Sequence, residues 1–203
     1  MKFGSAVALT VFLVFFGTWS YADDCNSLRY VDNGDGTMTD CRTGLIWLQD
    51  ANCLASFNGI GKSNGWLNWF DAMKWVVGLQ DTGDPRTGCQ LSDGSVPGDW
   101  RLPSKIELMA MITSAKSKGY SNPVLSNAGG TAQWTNGVPY NFQNVQSFAY
   151  WSCNTASWNQ SFAWQVSMFD GNSTTAGGKL NPDTYVWPVR GGQDGSFGVL
   201  FIQ

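Results

Sequence analysis

Five cysteines, Cys25, Cys41, Cys53, Cys89 and Cys153, follow an apolar leader, and cross-links in an exported chain restrict its fold more than any other feature here. Met1-Lys2 is a short basic start. The run Ala6-Val7-Ala8-Leu9-Thr10-Val11-Phe12-Leu13-Val14-Phe15-Phe16 is too short to stay in a bilayer as an anchor, and Ser20-Tyr21-Ala22 places small residues where a signal peptidase needs them. The expectation is a signal peptide over residues 1–22 and export to the periplasm, the extracellular space or the cell surface. Asp23-Asp24 ahead of Cys25 does not match a lipidation site, and no later segment is apolar enough to span a membrane. Cys25 and Cys41 flank a stretch that reads as a hairpin, while Cys53 and Cys89 bracket the first helical pattern. Bridges are expected in that order, with Cys153 left free and buried. No C-x-x-C pair occurs, which argues against a thiolate metal site.

Charged residues make up only 13% of the chain, about half the usual share, and polarity comes instead from 24 Gly and many Asn, Ser and Thr. Glu occurs once, at Glu107, which excludes a coiled coil or helical bundle, while 11 Trp can drive collapse. Histidine is absent, removing Ser-His-Asp and Cys-His catalysis and the commonest transition-metal ligand. The net charge of −3 and the lack of a Lys/Arg cluster argue against a nucleic-acid partner.

Along the chain, Arg29-Tyr30-Val31 and Thr37-Met38-Thr39 surround Asp32-Asn33-Gly34-Asp35-Gly36 and predict a hairpin. Leu45-Ile46-Trp47-Leu48 is a third short strand. The acidic turn lacks the EF-hand pattern, having Gly34 at the third position and no Glu at the twelfth, so turn chemistry explains it and calcium has no motif. No cofactor is expected. Asn68 caps a helix through Leu79, with Trp69, Ala72, Met73, Val76 and Leu79 as its apolar face. Ser104-Lys105-Ile106-Glu107 is a capping box opening a second helix with Leu108, Met111, Ile112 and Ala115. Residues 117–147 show no period and predict a long irregular stretch. Strands are expected at Ala149-Tyr150-Trp151-Ser152, at Phe162 to Met168 with Trp164, Val166 and Met168 facing one way, and at Tyr185 to Arg190. A further one is expected at Val199-Leu200-Phe201-Ile202. With no repeat or linker, residues 23–203 read as one α+β domain.

The ordered motifs resemble a known family. Tyr30-Val31-Asp32-Asn33-Gly34-Asp35-Gly36-Thr37, Asp40 and Thr43-Gly44-Leu45-Ile46-Trp47 are similar to the opening of the Lcl C-terminal domain family of bacterial secreted proteins. Asn52-Cys53, Cys89, Leu91-Ser92-Asp93-Gly94-Ser95, Gly98-Asp99-Trp100-Arg101-Leu102-Pro103, Glu107-Leu108, Tyr150-Trp151-Ser152 and Val189-Arg190-Gly191-Gly192 follow in the family's order. The resemblance implies a C-type-lectin-like fold, two helices on a small mostly antiparallel sheet with long loops. It implies a binding module: a sulfated-glycan adhesin, or a display protein of a diversity-generating retroelement. Cys153 stands where the family usually has Ser.

The motif residues Trp100, Arg101, Trp151, Trp187 and Arg190 read as core and core edge, and Asp93 and Asp99 as turn or cap residues. The expected function is non-catalytic recognition of a glycan or a cell-surface protein by amide-rich, aromatic loops between Trp151 and Trp187. An enzyme like the formylglycine-generating oxidases of the same fold is the alternative, with Cys153 as its thiol, but no basic neighbour in sequence activates it. The expected ligand surface comprises Asn154, Trp158, Asn159, Gln165, Asn172 and Asp183, with Trp158 as the stacking anchor and Gln165 facing away from the core.

Overall fold

The computed structural model describes residues 25–84, 86–175 and 177–191. The expected signal segment and the apolar stretch 199–202 lie outside them. The elements run β1 (Tyr30–Asp32), β2 (Thr37–Asp40), β3 (Ile46–Leu48), β4 (Trp66–Leu67), α1 (Trp69–Gly78), α2 (Lys105–Ser117), β5 (Ala149–Thr155), β6 (Ala163–Ser167), β7 (Ser173–Thr174), β8 (Thr184–Tyr185) and β9 (Val189–Arg190). The α+β class is as expected, but the strands form two sheets. One has the order β1-β2-β3-β9 and the other β4-β8-β5-β6-β7. All pairings are antiparallel except β5 with β8, where Tyr150 faces Tyr185.

The opening hairpin is held by its own acidic turn. Asp32 Oδ1 accepts from Gly34 N–H at 2.9 Å, and Asp35 Oδ1 accepts from the N–H and hydroxyl of Thr37 at 3.0 and 2.6 Å. The Cys25–Cys41 bridge clips this hairpin, and Cys53–Cys89 ties the approach to α1 to the loop after it. Cys153 is free but only half-buried, not enclosed, because it lies in β5 where that strand parts from β6 and donates its N–H to Pro103 O at 2.8 Å.

Asn68 caps α1 by accepting from Asp71 N–H at 3.0 Å. The helix buries Ala72, Trp75 and Val76, while Trp69 and Met73 lie at the edge of the core. The inward face is thus rotated toward Trp75, whose ring stacks edge-on against Phe57 at 5.4 Å. Helix α2 opens with the full capping box, Ser104 Oγ accepting from Glu107 N–H and Glu107 Oε2 from Ser104 N–H at 2.6 Å. The same carboxylate pairs bidentately with Arg101 at 2.8 and 2.7 Å, so the chain's one Glu fixes both the helix start and the strand-like approach to it.

The predicted last strand is split. Tyr185 pairs within the five-stranded sheet and Val189 within the four-stranded one. Pro188, without an N–H, lies between them. Trp187 at this crossing is fully buried. It meets Trp47, Phe142 and Tyr150 at 5.5, 4.9 and 5.4 Å and donates to Leu48 O at 2.8 Å, so one side chain joins the two sheets.

Candidate functional site

The loop from Ala156 to Phe162 joins β5 to β6 and closes on itself. Ala156 N–H donates to Phe162 O at 2.9 Å, Phe162 N–H to Asn159 O at 3.1 Å, and Asn159 Oδ1 accepts from Ser161 N–H at 2.9 Å. Trp158 rides on this loop with 62% of its surface exposed, its ring tilted 33° over Phe162 at 4.9 Å between centroids. An indole backed by a second ring on a closed loop loses little freedom when a ligand covers it.

A second loop, leading to β8, is stapled to the first by Lys179. Its N–H donates to Ser161 O at 2.8 Å, and its carbonyl accepts from Trp69 N–H, the first residue of α1, at 2.9 Å. Its ammonium donates to Thr155 Oγ1 at 2.8 Å and stands 4.1 Å over the Trp69 ring. Buried Lys179 therefore binds two loops and a helix start into one platform, around which Phe70 and Leu180 are exposed. Lys179 falls within the loops expected between Trp151 and Trp187, but it is not among the residues the sequence singles out. The visible signal was a lone cation among Gly, Asn and Thr, with the Trp69-Phe70 pair directly after a helix cap.

The structure brings Trp158 and Asn159 together, and disperses the other expected residues. Asn154 belongs to β5 and not to the loop; its Oδ1 accepts from Lys105 N–H at 2.7 Å, satisfying an orphan donor at the start of α2. Asn172 bonds Asp170 and accepts from Lys116 Nζ at 3.0 Å, near the other end of α2. Lys105 and Lys116 lie about 16 Å apart along the helix axis, so the two Asn side chains serve opposite ends of α2. Asp183 is exposed in the turn before β8, its N–H held by Asn181 Oδ1 at 3.0 Å.

Gln165 requires correction: it is 4% exposed instead of facing solvent. It lies on an interior strand opposite Trp151 of β5 and Thr174 of β7, where the alternation along one strand does not separate buried from wet positions. Its neighbour Trp164 is the half-exposed one, with Lys105 Nζ 3.4 Å above its ring.

A concavity of about 280 Å³ opens beside the hairpin, lined by Gly36, Gln49, Asp50, Gln90, Gln143 and Asn144. Gly36 is obligatory there, because at φ +85° its missing Cβ would stand 2.5 Å from Gln90 O. Asp50 Oδ1 accepts from Asn144 Nδ2 at 3.0 Å and Asp32 Oδ2 from Gln49 Nε2 at 2.9 Å. Among the described residues, no three Asp, Glu or Cys side chains converge as a metal site would need.

Residues 36–190 match the Lcl C-terminal domain model. The chain belongs to the Lcl C-terminal domain family. This is a lectin-like module of C-type-lectin-like fold, in a family that is typically non-catalytic. No curated protein and no solved structure matches the chain. In family terms, the matched motifs are the scaffold: Trp100, Trp151 and Trp187 are buried, Arg101 holds Glu107, and Arg190 pairs with buried Asp93 at 3.1 Å. The Trp158 loop lies within the matched region, between the scaffold strands β5 and β6.

Proposed function

We propose that this Lcl C-terminal domain is an exported, non-catalytic binding module that recognises a glycan, or a glycan-bearing surface protein, through the Trp158 loop. The observation that carries the reading is the exposed Trp158 indole, backed by Phe162 on a loop that Lys179 holds through Ser161 O, with Ser157, Asn159 and Gln160 beside it. A flat aromatic face covers the C–H side of a sugar ring while neighbouring carboxamides donate to and accept from its hydroxyls. Two disulfides belong to an oxidising compartment. No helix among the described residues is long and apolar enough to cross a membrane. Export after removal of residues 1–22, and one working domain over 23–203, fit this reading.

Cys153 supports the non-catalytic side. Burial pushes its thiol pKa up, with Glu107 adding to the shift and Arg101 only opposing it, so the nucleophilic thiolate is disfavoured. A glycan array with the mature protein, with and without calcium, supplies the ligand. Trp158→Ala should then weaken binding about tenfold or more, as loss of an anchor does, with an unchanged melting temperature. Unchanged affinity in that variant, with loss in Asp50→Asn instead, would move the site to the cleft beside the hairpin.

A further inference from the structure

Helix α2 carries two apolar stripes where a one-sided surface helix needs one. Leu108, Met111, Ile112 and Ala115 face the core. On another side Ile106, Met109, Ala110 and Thr113 recur at i, i+3, i+4 and i+7, and with Arg42 and Thr43 they line a groove of about 630 Å³. Ile106 is 79% exposed there. That volume falls in the range of small-molecule sites, and an exposed apolar concavity marks a binding surface.

Arg42 joins this groove to a second hollow of about 370 Å³, whose walls include Ser27, Arg29, Ser114 and Lys118. Ser114 and Lys118 continue the i+4 row that begins at Ile106 and Ala110. The row runs about 18 Å along the helix, apolar at its start and cationic at its end. Among the described residues no carboxylate lines either hollow. The cations differ in what they already hold. Arg29 is paired with Asp40, and Lys118 Nζ donates to Gly130 O. The Arg42 guanidinium has no hydrogen-bond or ion-pair partner among the described residues. Its backbone is fixed beside the Cys25–Cys41 bridge, with its N–H donating to Asp40 Oδ1 at 2.9 Å. The Arg29 pKa is lowered, chiefly by burial and also by the charge of Arg42, so a positive field remains at the junction.

We propose that this groove binds one long-chain fatty acid, its hydrocarbon chain along Ile106, Met109, Ala110 and Thr113 and its carboxylate on the Arg42 guanidinium. A guanidinium fork matches a carboxylate bidentately, and one unpaired cation balances a monoanion. The concave wall fits a single chain, whereas a flat bilayer surface would touch only its rims. This site is separate from the Trp158 loop and adds a second ligand class to the glycan reading.

The test is isothermal titration of the mature full chain with octanoate, decanoate and dodecanoate below their micelle thresholds. Saturable one-to-one binding is expected, tightening roughly fourfold for each added pair of methylenes, because a chain in an open groove buries about half of each. Ile106→Glu should weaken dodecanoate by more than about tenfold through its carboxylate against the chain. Arg42→Gln should weaken dodecanoate by roughly tenfold and leave dodecanol binding as in the wild type. Both side chains are exposed, so both variants should keep the wild-type melting temperature. Trp158→Ala should bind dodecanoate unchanged, which separates this site from the glycan loop. Absence of saturable binding, or affinity untouched by Ile106→Glu, would overturn the proposal. So would dodecyltrimethylammonium binding as tightly as dodecanoate, or dodecyl phosphate binding more tightly, since the head-group chemistry would then be wrong. Binding to anionic phospholipid vesicles without binding of monomeric dodecanoate would assign the face to a membrane surface and overturn it equally.

Discussion

Replacing Lys62 by Met should flatten the pH dependence of stability between pH 7 and 9.5. The ammonium of Lys62 is buried with one hydrogen bond, to Val186 O at 3.2 Å, and stands 3.6 Å over the Trp75 ring. An ammonium has three donors to satisfy, and a ring face replaces only part of its hydration. Burial therefore pulls the pKa down from 10.5 to about 7, against the weaker upward pull of Asp50. The unfolded chain keeps this proton up to its ordinary value while the folded chain releases it near 7. The unfolded state binds more protons in between, so stability must rise with pH across that window. Below pH 7 both states are charged and the full burial penalty is present. Two and a half pH units at about 1.4 kcal/mol each come to about 3 kcal/mol by pH 9.5, or roughly 6–12 °C of melting temperature for a domain of this size.

Urea unfolding followed by Trp fluorescence, at half-unit steps from pH 6 to 9.5, reads this directly. Burial also raises the pKa of Cys153 and Tyr150, which makes stability fall with pH at the alkaline end. Both variants share those groups, so the difference between the two curves isolates Lys62. Wild type should gain relative to Lys62→Met as pH rises, and the variant should be the more stable protein at pH 7. Parallel curves for the two proteins would refute the assignment of a buried, titrating ammonium.

Asp40→Asn should be among the most damaging single changes, because Arg29 and Asp40 are paired with side chains only 5% and 1% exposed; a guanidinium left buried alone costs about 3–5 kcal/mol, read as a lower urea midpoint, and a loss under 1 kcal/mol would sink the argument. Gly36→Ala forces a Cβ to 2.5 Å from Gln90 O at φ +85°, so it should lose about 1–3 kcal/mol, whereas Gly34→Ala, whose Cβ meets nothing, should lose only the left-handed backbone term. Removing Cys53–Cys89 as a double Ser variant should cost about 4 kcal/mol and removing Cys25–Cys41 about 3 kcal/mol, following their sequence separations of 36 and 16; calorimetry giving the reverse order would contradict the loop-entropy reasoning.

Local chemistry was legible in the sequence wherever one short segment determines its own shape. The hairpin turn, the Asn68 cap and the Ser104–Glu107 box all formed, because each closes bonds within a few residues. Family motifs carried the architecture, which periodicity alone would have missed. What escaped depends on contacts far apart in the chain. Strands β4 and β7 are two residues each and exist because partners pair with them. Gln165 looked outward by alternation, yet flanking strands and packing bury it. Asn154 looked like a loop residue until the start of α2, far away in sequence, took its carboxamide. At the candidate site, Trp158 could be read from its polar neighbours, whereas Lys179 as a clamp could not, since its three partners come from α1, β5 and the Trp158 loop.

The use of tryptophan links the scaffold to the proposed site. Buried backbone carbonyls need hydrogen-bond partners, in strands and irregular segments alike, and this chain supplies several of them from indole N–H groups. Trp69 donates to Ser152 O, Trp75 to Ala55 O, Trp134 to Phe142 O, Trp151 to Leu67 O and Trp187 to Leu48 O, all at 2.8–2.9 Å. Trp47, Trp66 and Trp100 bury their indole nitrogens unpaired among the described residues and contribute packing area instead. Removing Trp151 or Trp187 would open a cavity and orphan a carbonyl together, which should cost more than the about 3–5 kcal/mol of a simple large-to-small change. Trp158 is the only Trp among the described residues that is more exposed than buried. Its truncation opens no cavity in the core, so Trp158→Ala should leave the melting temperature unchanged where Trp151→Ala and Trp187→Ala lower it.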